Sequence, residues 1–552
     1  MPESQSHKYL YYLVGLAVLV NFSGLFVPLM DPDAGVYASI SKTMVQRHDF
    51  VNLYFQETDW LDKPHFPFWI TAAFFKIFGF KVWVYKLPGI LFVMMGAWYT
   101  YRLACDFYNR TVALWSVFIL LTATHIIISN NDVRAEPFLT GLIIGAIWHF
   151  SRSLSSGFNR HLLIACFLAA CAVITKGIFT LIPIGGAVAG DLIIKNQWKQ
   201  VFHPRWIIAG LLVALFITPE LYCLWKQFDT HPEKTVLGND HVSGIRFFLW
   251  DSQFGRFFNT GPIKGKGDKL FFLHTLLWAF LPWSLILYGA AITYLRNGIK
   301  KGMDRVGEWY TVSGSLLTLL VFSFSGFQLP HYSNIVFPLM AIPCAAFVVR
   351  QVEAGRKLFS IIQTVIGGLL IAGAIGLLVL YRPVISPLFL LTAIGLAAVL
   401  IFFPVWWKNV KGYIPYIRSG LAMLFVGICL NLAFYPDLLR YQSGNLAAVR
   451  MNRDFSGASL TRIGIYYPAG EFYLQASAYR ASLEEIASGS FNKSDFLFIT
   501  EEEKKQLEER RVYFDIIESY PEFHVTMLSL KFLNPRTREK ELKIHYLVRL
   551  RS

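Results

Sequence analysis

Apolar runs long enough to cross a bilayer recur along most of this sequence, and they decide its fold class. The hydrocarbon core of a membrane takes ~17–25 residues of helix, and about thirteen stretches of that length can be marked. They lie near 9–30, 82–104, 111–129, 133–151, 160–175, 177–194, 206–226, 270–295, 309–325, 332–350, 358–381, 385–407 and 413–435. Backbone polar groups in hydrocarbon must be satisfied within the segment, so these runs are read as helices. Composition agrees: 55% of the 552 residues are hydrophobic and only 16% are charged, against roughly 25% in soluble domains. The sequence predicts an α-helical polytopic membrane protein. The run from Tyr9 to Leu29 is too long for a signal peptide and has no small-residue cleavage site, which predicts a retained first helix.

A net charge of +15 would suggest nucleic acid in a soluble chain. Here the Lys and Arg residues gather in alternate loops, at 105–110, 152–160, 195–205, 296–308, 350–357 and 408–412. The short opposite loops carry little beyond Lys176 and Arg382. Basic loops stay in the cytoplasm, so the N-terminus is placed there. Three segments then face the other side: 31–81, 227–269 and the tail from about 436. "TRIGIYYP", "DFLFIT", "EFHVTMLSLKFL" and "ELKIHYLVRL" in the tail read as strands. "GEFYLQASAYRASLEEIA" and "EEEKKQLEERR" read as helices. The expected division is a membrane domain at 1–435 and a soluble α/β domain at 436–552. Cys105, Cys166, Cys171, Cys223, Cys344 and Cys429 lie in or beside apolar runs without a CxxC pair, which predicts buried thiols.

The chemistry-bearing residues cluster on the side away from the basic loops. In "LMDPDAGVYASISKTMVQRHDF", residues 29–50, Val36, Tyr37, Ile40 and Met44 share one helical face, with Ser39, Lys42, Thr43 and Gln46 pointing away. That predicts an amphipathic helix in the membrane interface. Asp33 is either its N-cap or a reactive acid, and Asp31 is a solvated turn residue. "DWLDKPHFPFW" opens a second interfacial helix anchored by Phe66, Trp69, Phe74 and Phe75. Lys63 at its head either snorkels or meets a phosphate. In "SNNDVRAEPFLTG", Asp132 and Glu136 share a face and Arg134 lies on another. Glu136 lies about a turn inside the span, where ionisable groups are costly and usually functional.

The 227–269 loop interleaves Arg246, Arg256, Lys264, Lys266 and Lys269 with aromatic residues. It suits a basic interfacial loop or a phosphate clamp, since arginine binds phosphate through two donors. "GPIKGKGDK" lacks the spacing of a nucleotide-binding loop. His331 and Tyr332 begin a helix at the mouth between two spans. No spacing of His, Cys, Asp or Glu makes a metal motif by itself. One alternative is a transporter or flippase of a lipid-linked envelope precursor, in which charges line a pathway. Against it, the charges gather on one side and no inverted repeat of broken helices is visible.

The order of these landmarks resembles the GT-C glycosyltransferases, in the bacterial branch related to protein O-mannosyltransferases and the lipid A aminoarabinose transferase. "DAGVYASI" is similar to the family's acid followed by Tyr-Ala, and "DKPHFPFW" to its acid-Lys-Pro segment. "RAEPFLTG" is similar to its second acid site, and "TKGIFTLIP" to its Lys-Gly-Pro element. "WDSQFGRFF", "LPWS" and "LPHYSNIVFP" follow in the family's order. The resemblance implies two juxtamembrane helices, a periplasmic C-terminal domain and a site in the bacterial inner membrane facing the periplasm. It also implies a polyprenyl-phosphate sugar donor, no nucleic acid, and inverting transfer to an envelope acceptor (lipid A, another glycan or protein).

By position, Asp33 would be the principal catalytic carboxylate, with Glu136 the second acid and Asp132 its rival. Lys63 and Arg256, with Arg246 as a further candidate, would bind the donor phosphate. Tyr37, His331 and Tyr332 would line the substrate site. Asp62 stands where some relatives associate an acid with a divalent cation, and His331 is the other candidate ligand. Ala34, Val36 and His65 depart from the family pattern, which leaves both the sugar and any metal open.

Overall fold

The computed structural model describes residues 7–154, 159–236, 238–261, 264–303 and 307–551. Parts of the expected loops 152–160, 227–269 and 296–308 therefore lie outside the described residues.

Helices lie over the marked apolar runs and make a polytopic membrane bundle. Among the described residues, Lys8–Phe26, Val82–Phe107, Pro330–Glu353, Leu358–Tyr381 and Val410–Tyr441 are each long and apolar enough to cross a bilayer. Trp198–Phe216 and Thr218–Asp229 form a further candidate bent by 41°. Pro219 enters the second half of that pair at its first turn, where the missing proline N–H interrupts the ladder. Other apolar helices are shorter, including Arg110–Leu121, Ile178–Ile194 and Tyr310–Ser323. The cysteines are free, and all but the half-buried Cys105 are buried.

Two short strands, β1 (Tyr54–Phe55) and β2 (Thr58–Asp59), form a hairpin in the first large loop. Near the end of the chain, five more build one mixed sheet: β3 (Leu460–Arg462), β4 (Ala478–Arg480), β5 (Phe496–Thr500), β6 (Phe514–Glu522) and β7 (Lys543–Leu550). Their order is β4-β3-β5-β7-β6. β3 runs parallel to β4 and β5, and β7 runs antiparallel to β5 and β6. Ala447, Ala448 and Met451 of helix Ser443–Asp454 share a buried cluster with Leu460 and Phe498 of the sheet.

Several local expectations change here. The alternating segment 522–533 is not a strand beyond Glu522: it turns and ends in helix Leu530–Leu533, which Ser529 caps. Phe523 stacks on Phe532 at 3.7 Å, so the pattern encodes a folded-back loop. The strand lies earlier, at β6. The helix expected over 470–487 is split by β4, and a capping box at Ser482 and Glu485 starts a new one.

The Asp33–Arg47 helix is not an interfacial helix with one face in water, because Ala34 through Lys42 are all buried. Ser39 Oγ donates to Pro468 O at 2.9 Å. Lys42 Nζ donates to the carbonyls of Phe472 at 3.0 Å and Glu471 at 3.2 Å. Ser39 and Lys42 of the polar face thus meet protein, while Gln46 stays exposed. Gly35 permits the approach: a methyl there would collide with Ala469 N and stand 2.8 Å from the Pro468 carbonyl carbon. The following helix, Phe66–Phe78, also buries Phe68 and Phe75, and Phe75 stacks on Phe472 at 5.7 Å.

Candidate active site

Six segments converge at one end of the bundle. The Asp33–Arg47 helix brings Asp33 and Tyr37, and the turn after the hairpin brings Trp60, Asp62 and Lys63. The start of helix Ala135–Ser153 brings Arg134 and Glu136. The opposite wall holds Lys176, Arg256, Phe327, His331 and Tyr332. Together they line a cleft of about 730 Å³.

Asp33 is the first helical residue and Pro32 is the N-cap, so Asp33 does not serve as the cap. Its carboxylate instead faces Arg134, with Nη1 to Oδ2 at 2.5 Å, and 47% of the side chain stays exposed. Burial raises its pKa against the pull of the Arg134 guanidinium. Arg134 is shared: its Nε donates to Asp132 Oδ2 at 2.9 Å and Nη2 donates to the same oxygen.

Asp62 accepts from Lys63 Nζ at 2.5 Å and from Arg256, which helix Ser252–Phe257 carries. Burial alone would raise its pKa, but Lys63 and Arg256 hold it below the usual carboxylate range. Two cations thus share one carboxylate, and an arriving anion would find surplus positive charge. Glu136 is only 3% exposed and accepts from Lys176, with His331 Nε2 at 3.7 Å. The Lys176 ammonium lies 3.8 Å from the Tyr332 ring centroid. Tyr37 packs on Phe68 at 5.1 Å. Trp60 Nε1 is buried and has no hydrogen-bond partner among the described residues.

Adjoining the cleft is a second, mainly apolar chamber, lined by Leu139, Phe179, Phe322 and Ile335 among others. The two share Lys176, Arg256, Phe327 and Tyr332. Gly177 holds this junction with φ of 109°, a value L side chains rarely adopt. A side chain there would also strike Gln253, whose Nε2 donates to Lys176 O at 3.1 Å.

The structure thus gathers Asp33, Tyr37, Asp62, Lys63, Glu136, Arg256, His331 and Tyr332 in one cleft. It leaves Arg246 out: its side chain is 75% exposed, pairs with Asp251 at 3.4 Å and lines a separate groove. Asp31 is not a solvated turn residue. Its Oδ1 accepts from Ala469 N at 2.7 Å, its N donates to Gln442 Oε1, and burial pushes its carboxyl up to about 8. Two cleft cations went unassigned in the sequence reading, Arg134 and Lys176. For Lys176 the available signal was a lone lysine at the end of an apolar run. For Arg134 it was an arginine with acids two residues away on either side.

Asp62 and His331 do not form one donor set for a divalent cation, since Asp62 faces Lys63 and Arg256 while His331 faces Glu136. No three His, Cys, Asp or Glu residues gather into a possible metal group among the described residues. The donors described in the cleft do not fit such an ion.

This charged cleft at one end of a membrane-helix bundle stands on a fold that the chain shares with a solved membrane glycosyltransferase, ArnT. The chain is similar to the crystal structure of ArnT from Cupriavidus metallidurans bound to undecaprenyl phosphate, with a TM-score of 0.75, 15% identity and 98% of both chains covered. The apo form of that protein gives a TM-score of 0.71 at 15% identity, again with 98% of both chains covered.

Residues 62–223 match the dolichyl-phosphate-mannose-protein mannosyltransferase family. The undecaprenyl phosphate-alpha-4-amino-4-deoxy-L-arabinose arabinosyl transferase of Enterobacter sp. (strain 638) is 26% identical over 360 residues, 63% of this chain and 60% of that protein. The transferase of the same name from Erwinia tasmaniensis is 22% identical over 63% of this chain and 59% of its own length. The chain thus matches about three fifths of these relatives' length.

Proposed function

We infer that this protein is a glycosyltransferase that moves a sugar from a polyprenyl-phosphate donor to an envelope acceptor. The observation that carries this reading is the junction of the two chambers. Paired cations and carboxylates line one, Leu139, Phe179, Phe322 and Ile335 with a few small polar side chains line the other, and four residues belong to both. An amphiphile with a phosphate head and a polyprenyl tail matches that division, and undecaprenyl phosphate is named for both the Enterobacter relative and the ArnT structure.

The acceptor hydroxyl attacks the anomeric carbon and passes its proton to Asp33, the general base. The bond from that carbon to the phosphate oxygen breaks, with inversion, and the electron pair leaves on the polyprenyl phosphate. Lys63 and Arg256, both poised on Asp62, stabilise that growing charge. Glu136, buried and held by Lys176, orients the acceptor beside Tyr37, His331 and Tyr332. The unpaired Trp60 N–H gives the sugar one further donor. The acceptor is an envelope molecule: lipid A, another glycan or protein.

The site belongs on the periplasmic side of a bacterial inner membrane, with the N-terminus in the cytoplasm. The shorter and bent helices complete about thirteen spans, and residues 436–552 form a periplasmic α/β domain. Purified protein in lipid nanodiscs, given an undecaprenyl-phosphate aminosugar and lipid A, should add one sugar mass to lipid A. Movement of the donor across vesicles with no covalent product would support the flippase reading instead.

A further inference from the structure

The Arg134 guanidinium is divided unequally between two acids. Asp132 holds Nε and Nη2, while Nη1 alone reaches Asp33. Two donors on one carboxylate oxygen fix a planar guanidinium better than one, so Asp132 is the anchor and Asp33 the target. Asp132 Oδ1 is buried without a hydrogen-bond partner among the described residues, which leaves the Arg134 contact as that carboxylate's principal engagement.

We propose that Arg134 is a positioning residue that keeps Asp33 ionised for catalysis, and that Asp132 limits how strongly it does so. This rests on the reading of Asp33 as the base. It removes Asp132 from the rivalry for second acid and leaves Glu136 there.

The physical reason is a conflict at Asp33. A base half-withdrawn from water beside other acids loses its charge readily, and a protonated base cannot act. A cation fixed beside it keeps it ionised, yet an unshared cation would make it too weak to take the acceptor's proton. Sharing the guanidinium with Asp132 sets the balance between these limits. The groups that act on Asp33 are Arg134 and Asp132 from the turn before helix Ala135–Ser153, Glu136 from that helix, and Lys63 from the loop after the hairpin. The phenols of Tyr37, Tyr332 and Tyr466 also feel its charge.

The test is the single-turnover rate of sugar transfer against pH in nanodiscs, for the wild type, Arg134→Gln, Arg134→Lys, Asp132→Asn and Asp33→Asn. Losing the cation raises the Asp33 pKa, so Arg134→Gln should move the acid limb to higher pH by on the order of one unit. Losing the competing acid frees Arg134 for Asp33, so Asp132→Asn should move the limb to lower pH. Arg134→Lys should restore part of the wild-type position. Opposite movements are the signature, because damage to the fold would lower both rates without moving either limb. If Arg134→Gln does not fold, the direction of the Asp132→Asn limb decides.

Unmoved limbs with an inactive Asp33→Asn would overturn the role of Arg134 and leave the base in place. A rate loss above about a hundredfold in Asp132→Asn with an unmoved limb would make Asp132 a catalytic acid and also overturn the proposal. An active Asp33→Asn would remove the base assignment, and this proposal with it.

Discussion

The Asp33 helix has charges on two sides, and they are treated in opposite ways. Toward the cleft, the Asp33–Arg134 and Asp62–Arg256 pairs join separate elements and keep access to solvent, with Asp33 still 47% exposed, while Glu136 is buried against Lys176. Toward residues 462–474 the charges are sealed. Lys42 is buried against backbone carbonyls, and Arg462 and Glu471 pair at 3.3 Å with side-chain exposures of 5% and 9%. Gln56 at the hairpin tip bonds both of them. Sealed groups have their hydrogen bonds satisfied within the protein and have little left to offer a ligand. Cleft groups are held by partners that a substrate can replace.

The contrast breaks most visibly if the two sides are damaged separately. Asp33→Asn should lower transfer by about 10²–10⁴-fold while the thermal midpoint and donor binding stay near wild type; full activity would show that the exposed acid is not the base. Arg462→Ala should do the reverse. It strands Glu471 in the seam, for which a loss of roughly 3–5 kcal/mol is expected, read as a lower denaturation midpoint. A stable Arg462→Ala would mean that the seam is not sealed. Lys63→Ala should weaken donor binding about ten- to a hundredfold, the size of a charge-assisted hydrogen bond to phosphate. Calorimetric titration with undecaprenyl phosphate measures it, and an unchanged affinity refutes the phosphate contact.

The smallest effect concerns pH. Burial pushes Glu471 up to about 7 and Asp31 up to about 8. Both folded values lie above the reference values of 4.5 and 3.8, so the folded state binds more protons than the unfolded one between them. Stability is then fully present below the reference values and declines as pH rises through 7 to 8. The melting temperature should fall modestly from about pH 5 to pH 8, and Glu471→Gln should flatten part of that slope. A rising melting temperature over this range would show that the seam carboxylates are solvated.

Much of the cleft was legible because its residues stand at segment ends, where an ionisable group beside an apolar run is conspicuous. Asp33, Lys63 and Glu136 each announce themselves in this way, and the order of landmarks joins them. What was not legible was pairing at a distance. Nothing within "NNDVRAEP" says that Arg134 reaches back to Asp33, and nothing within "TKG" says that Lys176 meets Glu136. Lys42 shows the same limit from the other direction. A helical wheel sends a lysine to water by default, and only the later segment 468–474 reveals carbonyls waiting for it. Arg246 looked like Arg256 in composition, but their positions along one continuous helical stretch put one on the outer groove and the other in the cleft.

The seam also orders events in time. Ser39 and Pro468, which hydrogen-bond across it, are 429 residues apart in the chain. At ~5–20 residues per second, roughly 20–90 s of synthesis separate the emergence of the two. Throughout that interval the Asp33 helix lacks the surface that covers Lys42 and Gly35, and the hairpin tip lacks Arg462. A ribosome that stalls before residue 462 leaves every cleft residue in place without the segment that packs behind the Asp33 helix.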